Sequence, residues 1–339
     1  MDLKQQFSDL FDRLGVESLP PRYPGVAVEI AADRINAVRL AVDRKGGKAR
    51  VAAFETHPLP DGAVEVALTK PNILNATILL EALRSVFVKI GPRDHRVSLL
   101  LPDDVARVSL LGFAALPKTR RELADLVRFR MSKSLPFKPE EAVMDLMLLG
   151  SGQARPGASS VSVLAAFVHR AVLEQYEALL SACGYWPGLV SLSSFELFNL
   201  FRPLFARKKV ADRDSLVLNV TRHYLSVMIL RDTDIIFYRC KPLTQAANGD
   251  SQADVRREIY TSLAFYQEKL LGRGIGRVFL RCAGVPAEAI REAAGAETGG
   301  EVELLDPLAV LPPNGAPAVP GEMGALIAPA LGAVAGRMS

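Results

Sequence analysis

The sequence has few of the residues from which metal centres and disulfide frameworks are built. Its 339 residues include three cysteines, Cys183, Cys240 and Cys282, which lie far apart and lack metal-ligand spacing. The four histidines are equally dispersed, and no two carboxylates form a convincing acid–base pair. These absences exclude a zinc module or a disulfide framework and are typical of a reducing compartment. No catalytic residue and no metal ligand is predicted.

Long apolar runs are also missing. No segment approaches the roughly 20 apolar residues of a membrane-spanning helix, and the N-terminus does not separate its charges and apolar residues into the blocks of a signal peptide. We therefore expect a cytoplasmic protein that reaches the inner membrane only through a partner. A net charge of +4 and a pI near 9.0 permit contact with anionic lipid or an acidic partner but do not indicate nucleic-acid binding.

Residues 1–21 are predicted to form an amphipathic helix and a linker. The apolar residues recur at helical spacing, at Leu3, Phe7, Leu10, Phe11 and Leu14. This helix could pack on its own protein, bind a partner or lie on lipid. Its mixed charge disfavours lipid, since a membrane-surface helix usually has a basic polar face.

The main positive feature is a hairpin that occurs twice. Residues 26–40 and 215–230 each have the pattern of a strand, a tight turn and a returning strand. Each is followed by a third strand, a helix and another strand, which is the order of an actin-like (ribonuclease H-like) α/β domain. We expect two such domains facing across a cleft, at 22–210 and 211–339. Elements near 105–150 predict a small inserted α+β subdomain in the first domain.

Several blocks in order resemble the PilM family of type IV pilus assembly proteins, over about residues 22–336. The most specific block begins at Arg121-Glu122-Leu123 and ends at Leu135-Pro136-Phe137-Lys138-Pro139-Glu140-Glu141. There the family has a charged helix that ends in a Leu/Ile-Pro-Phe motif followed by Glu-Glu. Further blocks agree at 163–166, 182–187, 258–266 and 330–332. The resemblance implies an actin-like fold with an early insert, as in the related FtsA.

The resemblance also locates a nucleotide site, at which this sequence departs from the family. The family's first turn, Asp-Ile-Gly-Ser-Ser followed by a Lys, is here Glu29-Ile30-Ala31-Ala32-Asp33 followed by Asn36. The second turn has Asn219-Val220-Thr221 in place of Asp-x-Gly, and the third keeps only Gly284. The degenerate cofactor-binding positions are Glu29, Ala31, Asn219, Thr221 and Gly284. Arg222 and His223 lie at the second turn, either as surface residues or as anion ligands.

These departures weaken the contacts on which nucleotide affinity depends. Mg²⁺ and backbone N–H groups supply much of that affinity, and a Cβ at position 31 obstructs the backbone approach that a glycine allows. We therefore expect no enzymatic activity and no cofactor, although ATP with Mg²⁺ is the family ligand. An actin-fold ATP-binding protein, ATPase or sugar kinase with atypical phosphate contacts remains the alternative.

The resemblance further implies a partner like PilN, an inner-membrane protein whose short cytoplasmic tail docks between the first core subdomain and the insert. The predicted groove residues are Arg128, Arg130, Lys133, Leu135 and Phe137. Alternatively, Leu135 and Phe137 only close the local core. The expected function is a non-catalytic scaffold of pilus assembly, with the pilus motor ATPase and self-association as further candidate contacts. A cytoplasmic subunit of type II secretion is the other alternative.

Overall fold

The computed structural model describes residues 23–42, 49–149, 161–243, 251–310 and 319–335. The helix predicted within 1–21 lies outside these residues. In chain order the strands are β1 (Val26–Ile30), β2 (Arg34–Val42), β3 (Ala49–Pro58), β4 (Arg96–Leu101), β5 (Ala106–Phe113), β6 (Ala142–Leu149), β7 (Val161–His169), β8 (Trp186–Leu192), β9 (Asp214–Thr221), β10 (Tyr224–Arg231), β11 (Asp234–Pro242), β12 (Ile275–Ala283) and β13 (Glu301–Leu304). The α-helices are α1 (Ala76–Ile90), α2 (Arg120–Met131), α3 (Arg170–Ala182), α4 (Ser193–Lys208), α5 (Ser251–Leu270), α6 (Ala287–Thr298) and α7 (Gly321–Ala335).

Two sheets of identical topology form the two domains. The first has the order β3-β2-β1-β4-β8 and the second β11-β10-β9-β12-β13. In each, three antiparallel strands are followed by two parallel ones. The inner strands β1 and β9 are buried along almost their whole length, which explains their continuous apolar runs. The predicted duplicated actin-like fold is therefore confirmed.

A third, smaller sheet forms the insert. Its order is β5-β7-β6, all antiparallel, and α2 packs on one face through Leu123, Val127 and Met131. A capping box begins α2, because Thr119 and Glu122 each bond the other's backbone N–H. The central strand β7 extends this sheet beyond the expected limit near residue 150. The Gly-, Ser- and Pro-rich sequence before β7 lies outside the described residues.

Helices α4 and α7 are packed between the two large sheets. Their apolar residues form one buried cluster with residues of β1, β2, β9, β10 and β12. The chain passes through α4 from the first domain to the second, and α7 packs back against the first. The sequence pattern predicted that α4 ends near Arg202, because Pro203 follows. The helix in fact continues to Lys208, with Pro203 inside it. The pattern also missed β13, which has only four residues.

None of the helices in the described part of the chain is both long enough and apolar enough to cross a lipid bilayer.

Candidate functional site

The degenerate nucleotide positions do meet in the fold. Glu29 is the last residue but one of β1, Ala31 lies in the β1–β2 turn, Asn219 and Thr221 are among the last three residues of β9, and Gly284 follows β12. Because β1, β9 and β12 all end at the cleft, their last residues face one another across it. The structure therefore brings together the residues that the resemblance assigned to the nucleotide.

Glu29 already has hydrogen-bond partners from its own chain. The side chain is buried, with Oε2 accepting from Asn36 Nδ2 at 2.8 Å and Oε1 lying 2.6 Å from Ser193 Oγ. Asn36, the residue in the position of the family's Lys, also donates to the Leu326 carbonyl at 3.1 Å. Both oxygens of this carboxylate are thus engaged by neutral donors, which satisfies a buried charge without a metal ion.

A buried arginine that the sequence analysis missed lies beneath the cleft. Arg281 of β12 is 2% exposed and donates from Nη1 to Asn219 Oδ1 at 2.7 Å. Its Nε and Nη2 donate to the carbonyls of Ala325 and Leu326 in α7, at 2.7 and 3.1 Å. Pro329 explains this bond to Ala325, because proline has no N–H to donate to the carbonyl four residues before it. The sequence did contain a signal for this contact. It has an arginine in an inner strand and a later helix with an internal proline.

Arg34 extends across the mouth of the cleft from the first domain to the second. It makes a bidentate ion pair with the neighbouring Asp33, with Nε–Oδ1 and Nη2–Oδ2 distances of 3.0 and 2.5 Å. A Cβ added to Gly284 would lie 2.5 Å from Arg34 Nη2, so the guanidinium rests directly on this glycine. Arg222 Nε donates to the Gly284 carbonyl at 2.9 Å. The last glycine of the nucleotide site is therefore in contact with two arginines.

The charges of the two turns attract each other across the cleft. Burial alone would raise the pKa of Asp33, but hydrogen bonds and charge from Arg34, with the charges of His223 and Arg222, hold this pKa below its ordinary value. The hydrogen bonds that Arg34 donates to Asp33 correspondingly raise the pKa of Arg34. Asp33 and Arg34 thus form an ion pair in the first turn, and this pair faces Arg222 and His223 of the second turn.

Little space remains between the turns. The volume in which water molecules can be centred is about 20 Å³, and it is lined by Glu29, Asp33, Arg34, Thr221, His223 and Arg281, among others. Such a volume holds one or two waters, and the wider space around it, about 390 Å³, includes open solvent at the mouth of the cleft. Among the residues that the structure describes, no group of His, Cys, Asp and Glu has the arrangement of a metal site. The side chains of the two turns therefore narrow the cleft, with Arg34 lying against Gly284.

A buried carboxylate, Asp103, joins the domains next to this site, and Asp104 follows it in the chain. Asp103 is fully buried in the turn between β4 and β5, and it accepts from Ser194 N of α4 at 2.9 Å and from Ser226 Oγ of β10 at 2.5 Å. Burial raises the pKa of Asp103 despite these bonds. Burial, together with the charge of Asp103, raises the pKa of Asp104 to about 7.

The raised pKa of Asp104 predicts a pH-dependent stability. The folded state keeps this proton up to about pH 7, whereas an unfolded Asp releases it near pH 3.9. Between these two pH values Asp104 is ionised in the unfolded chain but protonated in the folded protein. The free energy of unfolding therefore falls as the pH rises from about 4 to 7. Because Asp104→Asn cannot ionise, it should not show this loss. We expect its free energy of unfolding, relative to that of wild type, to rise by about 2 kcal/mol from pH 5 to pH 8. Urea denaturation at both pH values measures this gain, and an equal difference at both would contradict it.

The predicted groove residues make several different local contacts. Arg130 Nη1 donates to the Gly112 carbonyl at 2.7 Å, and its guanidinium lies 4.5 Å from the centre of the Phe113 ring. Arg128 pairs with Asp125 on α2 at 3.4 Å.

The remaining three groove residues differ in burial. Leu135 is buried in the core of the insert, and Phe137 packs edge-to-face on His169 with ring centres 5.2 Å apart. Lys133 is exposed. These contacts favour a local core role for Leu135 and Phe137. Phe129, which is 78% exposed on α2, was not anticipated, although it interrupts the apolar period of the helix.

The duplicated sheets, the cleft between them and the early insert define an actin-like protein. Within that class, the chain belongs to the family described as type IV pilus assembly protein PilM, because the sequence model of that family matches residues 27–307. A solved PilM–PilN type IV pilus biogenesis complex is similar to 94% of this chain and 99% of its own, with 18% identity and a TM-score of 0.76.

Two other solved structures are less similar to this chain. A protein of unknown function with an actin-like ATPase fold, from Bacteroides thetaiotaomicron, has 8% identity over 84% of this chain and 91% of its own, with a TM-score of 0.50. The cytoplasmic domain of EpsL, an inner-membrane component of type II secretion in Vibrio cholerae, has 11% identity over 90% of this chain and 94% of its own. Its TM-score is 0.49.

Proposed function

We propose that this PilM-family chain is a non-catalytic scaffold that docks the cytoplasmic tail of a PilN-like inner-membrane protein. Its place would be the cytoplasmic face of the inner membrane, where that tail holds it. The observation that carries the proposal is the narrowed cleft, in which Arg34 rests on Gly284 where the family resemblance expects nucleotide. The likeness to a solved PilM–PilN complex supports the choice of partner.

The same observation argues against an ATPase. To admit ATP, the chain would have to break the Asp33–Arg34 ion pair and leave the Asp33 carboxylate beside the phosphates. Glu29 would also have to exchange its bonds from Asn36 and Ser193 for a hydrated Mg²⁺. The first exchange would place like charges together, and the second would remove two formed hydrogen bonds from a buried carboxylate. We therefore propose that no cofactor is needed.

A binding measurement with synthetic peptides tests the proposal. The probe is the N-terminal cytoplasmic tail of the PilN homologue from the same source, titrated into the full chain by calorimetry. We expect saturable binding with a Kd of about 1 μM, which corresponds to about 8 kcal/mol. A scrambled peptide of equal composition is the control. Equal affinity for both peptides, or no binding of either, would contradict a docking function.

A further inference from the structure

A basic surface with exposed apolar side chains lies at the end of the first sheet that is opposite the cleft. Here α1 ends, β4 begins at Arg96 and β8 begins at Trp186. Arg96 is the strand partner of Trp186, whose backbone N–H donates to the His95 carbonyl at 3.0 Å. Because β1, β4 and β8 are parallel, their first residues lie at this end and their last residues at the cleft.

Ring contacts hold the apolar side chains of this surface in place. The Trp186 indole stacks on the His95 imidazole, with ring centres 5.4 Å apart and 13° between the planes. Tyr185 contacts both His95 and Phe87 of α1, with ring centres 5.9 and 4.1 Å away. Val88 follows Phe87 and is 82% exposed, and Trp186 is 52% exposed. Two apolar side chains therefore project from a packed base of aromatic rings.

Basic side chains surround these rings. Those that are exposed are Arg84, Lys89, Arg93 and Arg96. Burial raises the pKa of the Cys183 thiol, and the charge of Arg84 and a hydrogen bond from it oppose this effect, so Arg84 lies beside Cys183. Within the described residues, only Lys89 of these four pairs with a carboxylate, that of Glu55 at 2.6 Å. Asp94, an acidic residue of the same turn, accepts from the backbone N–H of Arg96 at 3.2 Å.

The surface as a whole carries more positive than negative charge. We call it the basic patch, and it comprises Arg84, Val88, Arg93, His95, Arg96 and Trp186.

We propose that the basic patch lies on the anionic surface of a phospholipid bilayer. Lys and Arg are attracted to anionic headgroups within about a Debye length, and tryptophan is enriched at the depth of the headgroups. Val88 and Trp186 enter the boundary between headgroups and acyl chains, while Arg84, Arg93 and Arg96 stay among the phosphates. The patch thus combines apolar area with positive charge, the two components of binding to a membrane surface.

A nucleic acid fits the same patch less well. Single-stranded nucleic acid stacks its bases on exposed aromatic faces, but His95 already stacks on the Trp186 ring. Val88, an exposed aliphatic side chain, offers no hydrogen bond to a phosphate or a base. A lipid surface accounts for the exposed apolar groups as well as for the charge.

The basic patch and the insert lie at opposite ends of β4. The patch surrounds Arg96, the first residue of this six-residue strand, whereas the insert follows Leu101, the last. The strand separates the two ends by about 17 Å. Contact with lipid therefore leaves the insert accessible to a partner. The inference goes beyond tail docking and does not depend on it.

The chain's single tryptophan makes this contact directly measurable. The full chain is titrated with vesicles of phosphatidylcholine and phosphatidylglycerol, and separately with vesicles of phosphatidylcholine alone. With the anionic vesicles we expect the emission of Trp186 to shift to shorter wavelength and to be quenched by lipids with brominated acyl chains. We expect neither change with the neutral vesicles. Vesicle binding without a change in Trp186 emission, or no binding at physiological salt, would overturn the inference.

Charge-reversal variants separate the basic patch from the net charge of the protein. Arg84→Glu combined with Arg93→Glu is expected to weaken binding to anionic vesicles by about 30-fold or more, because each Lys or Arg near such a surface strengthens binding by about fivefold. The matched control is Lys118→Glu combined with Arg121→Glu, which changes the net charge equally at exposed positions near the start of the insert's helix α2. We expect it to weaken binding by less than about threefold.

The remaining outcomes are also decisive. Equal weakening by the two double variants would attribute binding to net charge and overturn the patch. Saturable binding of a single-stranded oligonucleotide, lost in the Arg84→Glu, Arg93→Glu variant, would replace lipid by nucleic acid. The same variant should bind the tail peptide with the wild-type Kd, so failure of the lipid contact and failure of the proposed docking function are measured separately.

Discussion

Replacing Gly332 by alanine is expected to lower the free energy of unfolding by about 3 kcal/mol or more, or to prevent folding. Gly332 lies where α7 crosses α4, and a Cβ at this position would overlap the carbonyl group of Glu196. Both partners are helix backbone, so neither can rotate away. Relief would require α4 and α7 to separate, which would disrupt the cluster that they form between the two sheets.

The matched control is Gly321→Ala at the first residue of the same helix. A Cβ there meets no atom within 4 Å, and alanine has the higher helix propensity, by about 1 kcal/mol. Urea denaturation followed by circular dichroism compares the two variants. If Gly332→Ala unfolded at the same denaturant concentration as Gly321→Ala, the close crossing of the helices would be refuted.

Asp214→Ala is expected to produce the second large loss of stability. Asp214 at the start of β9 is 1% exposed and accepts from Arg231 Nε and Nη2 at 3.1 and 2.8 Å. Tyr266 OH also donates to it at 2.7 Å and accepts from Arg273 N at the same distance. The substitution leaves the Arg231 guanidinium, 12% exposed, without its carboxylate. Losing one partner of a buried pair costs about 3–5 kcal/mol, and we expect the lower end because Arg231 reaches solvent.

An exposed ion pair provides the comparison for this effect. Asp145 and Arg120 are 3.2 Å apart and 84% and 65% exposed. Asp145→Ala should therefore change the free energy of unfolding by less than about 1 kcal/mol. A loss for Asp214→Ala no greater than that for Asp145→Ala would show that the buried network does not stabilise the second domain.

Most of the architecture could be predicted because its signals are local. The two hairpins begin with apolar strands and turn within two or three residues, and both α1 and α2 show apolar residues at helical spacing. The sequence pattern did not predict β13, because its four residues, two of them glutamates, show too little alternation of apolar and polar side chains. The sequence pattern did not predict that α4 continues past Pro203, because a proline usually marks the end of a helix. Only the packing of α4 between the sheets shows that the helix continues.

The site could be predicted in outline but not in its contacts. The loss of glycine at position 31 and of lysine at position 36 indicated a degenerate nucleotide site. Arg34 lies in the cleft because it contacts Gly284. These two residues are 250 positions apart in the chain. The same holds for Arg281, whose acceptors are carbonyls of α7. Long-range pairs of this kind leave no periodic signal in one sequence.

Titration of the full chain with Mg-ATP tests the central claim most directly. If Asp33 and Arg34 narrow the cleft and Asn36 and Ser193 satisfy Glu29, calorimetry should detect no saturable binding up to millimolar nucleotide. That limit corresponds to less than about 4 kcal/mol of binding free energy. Saturable binding in the micromolar range, lost in Glu29→Ala, would contradict the account and support an ATPase with atypical phosphate contacts.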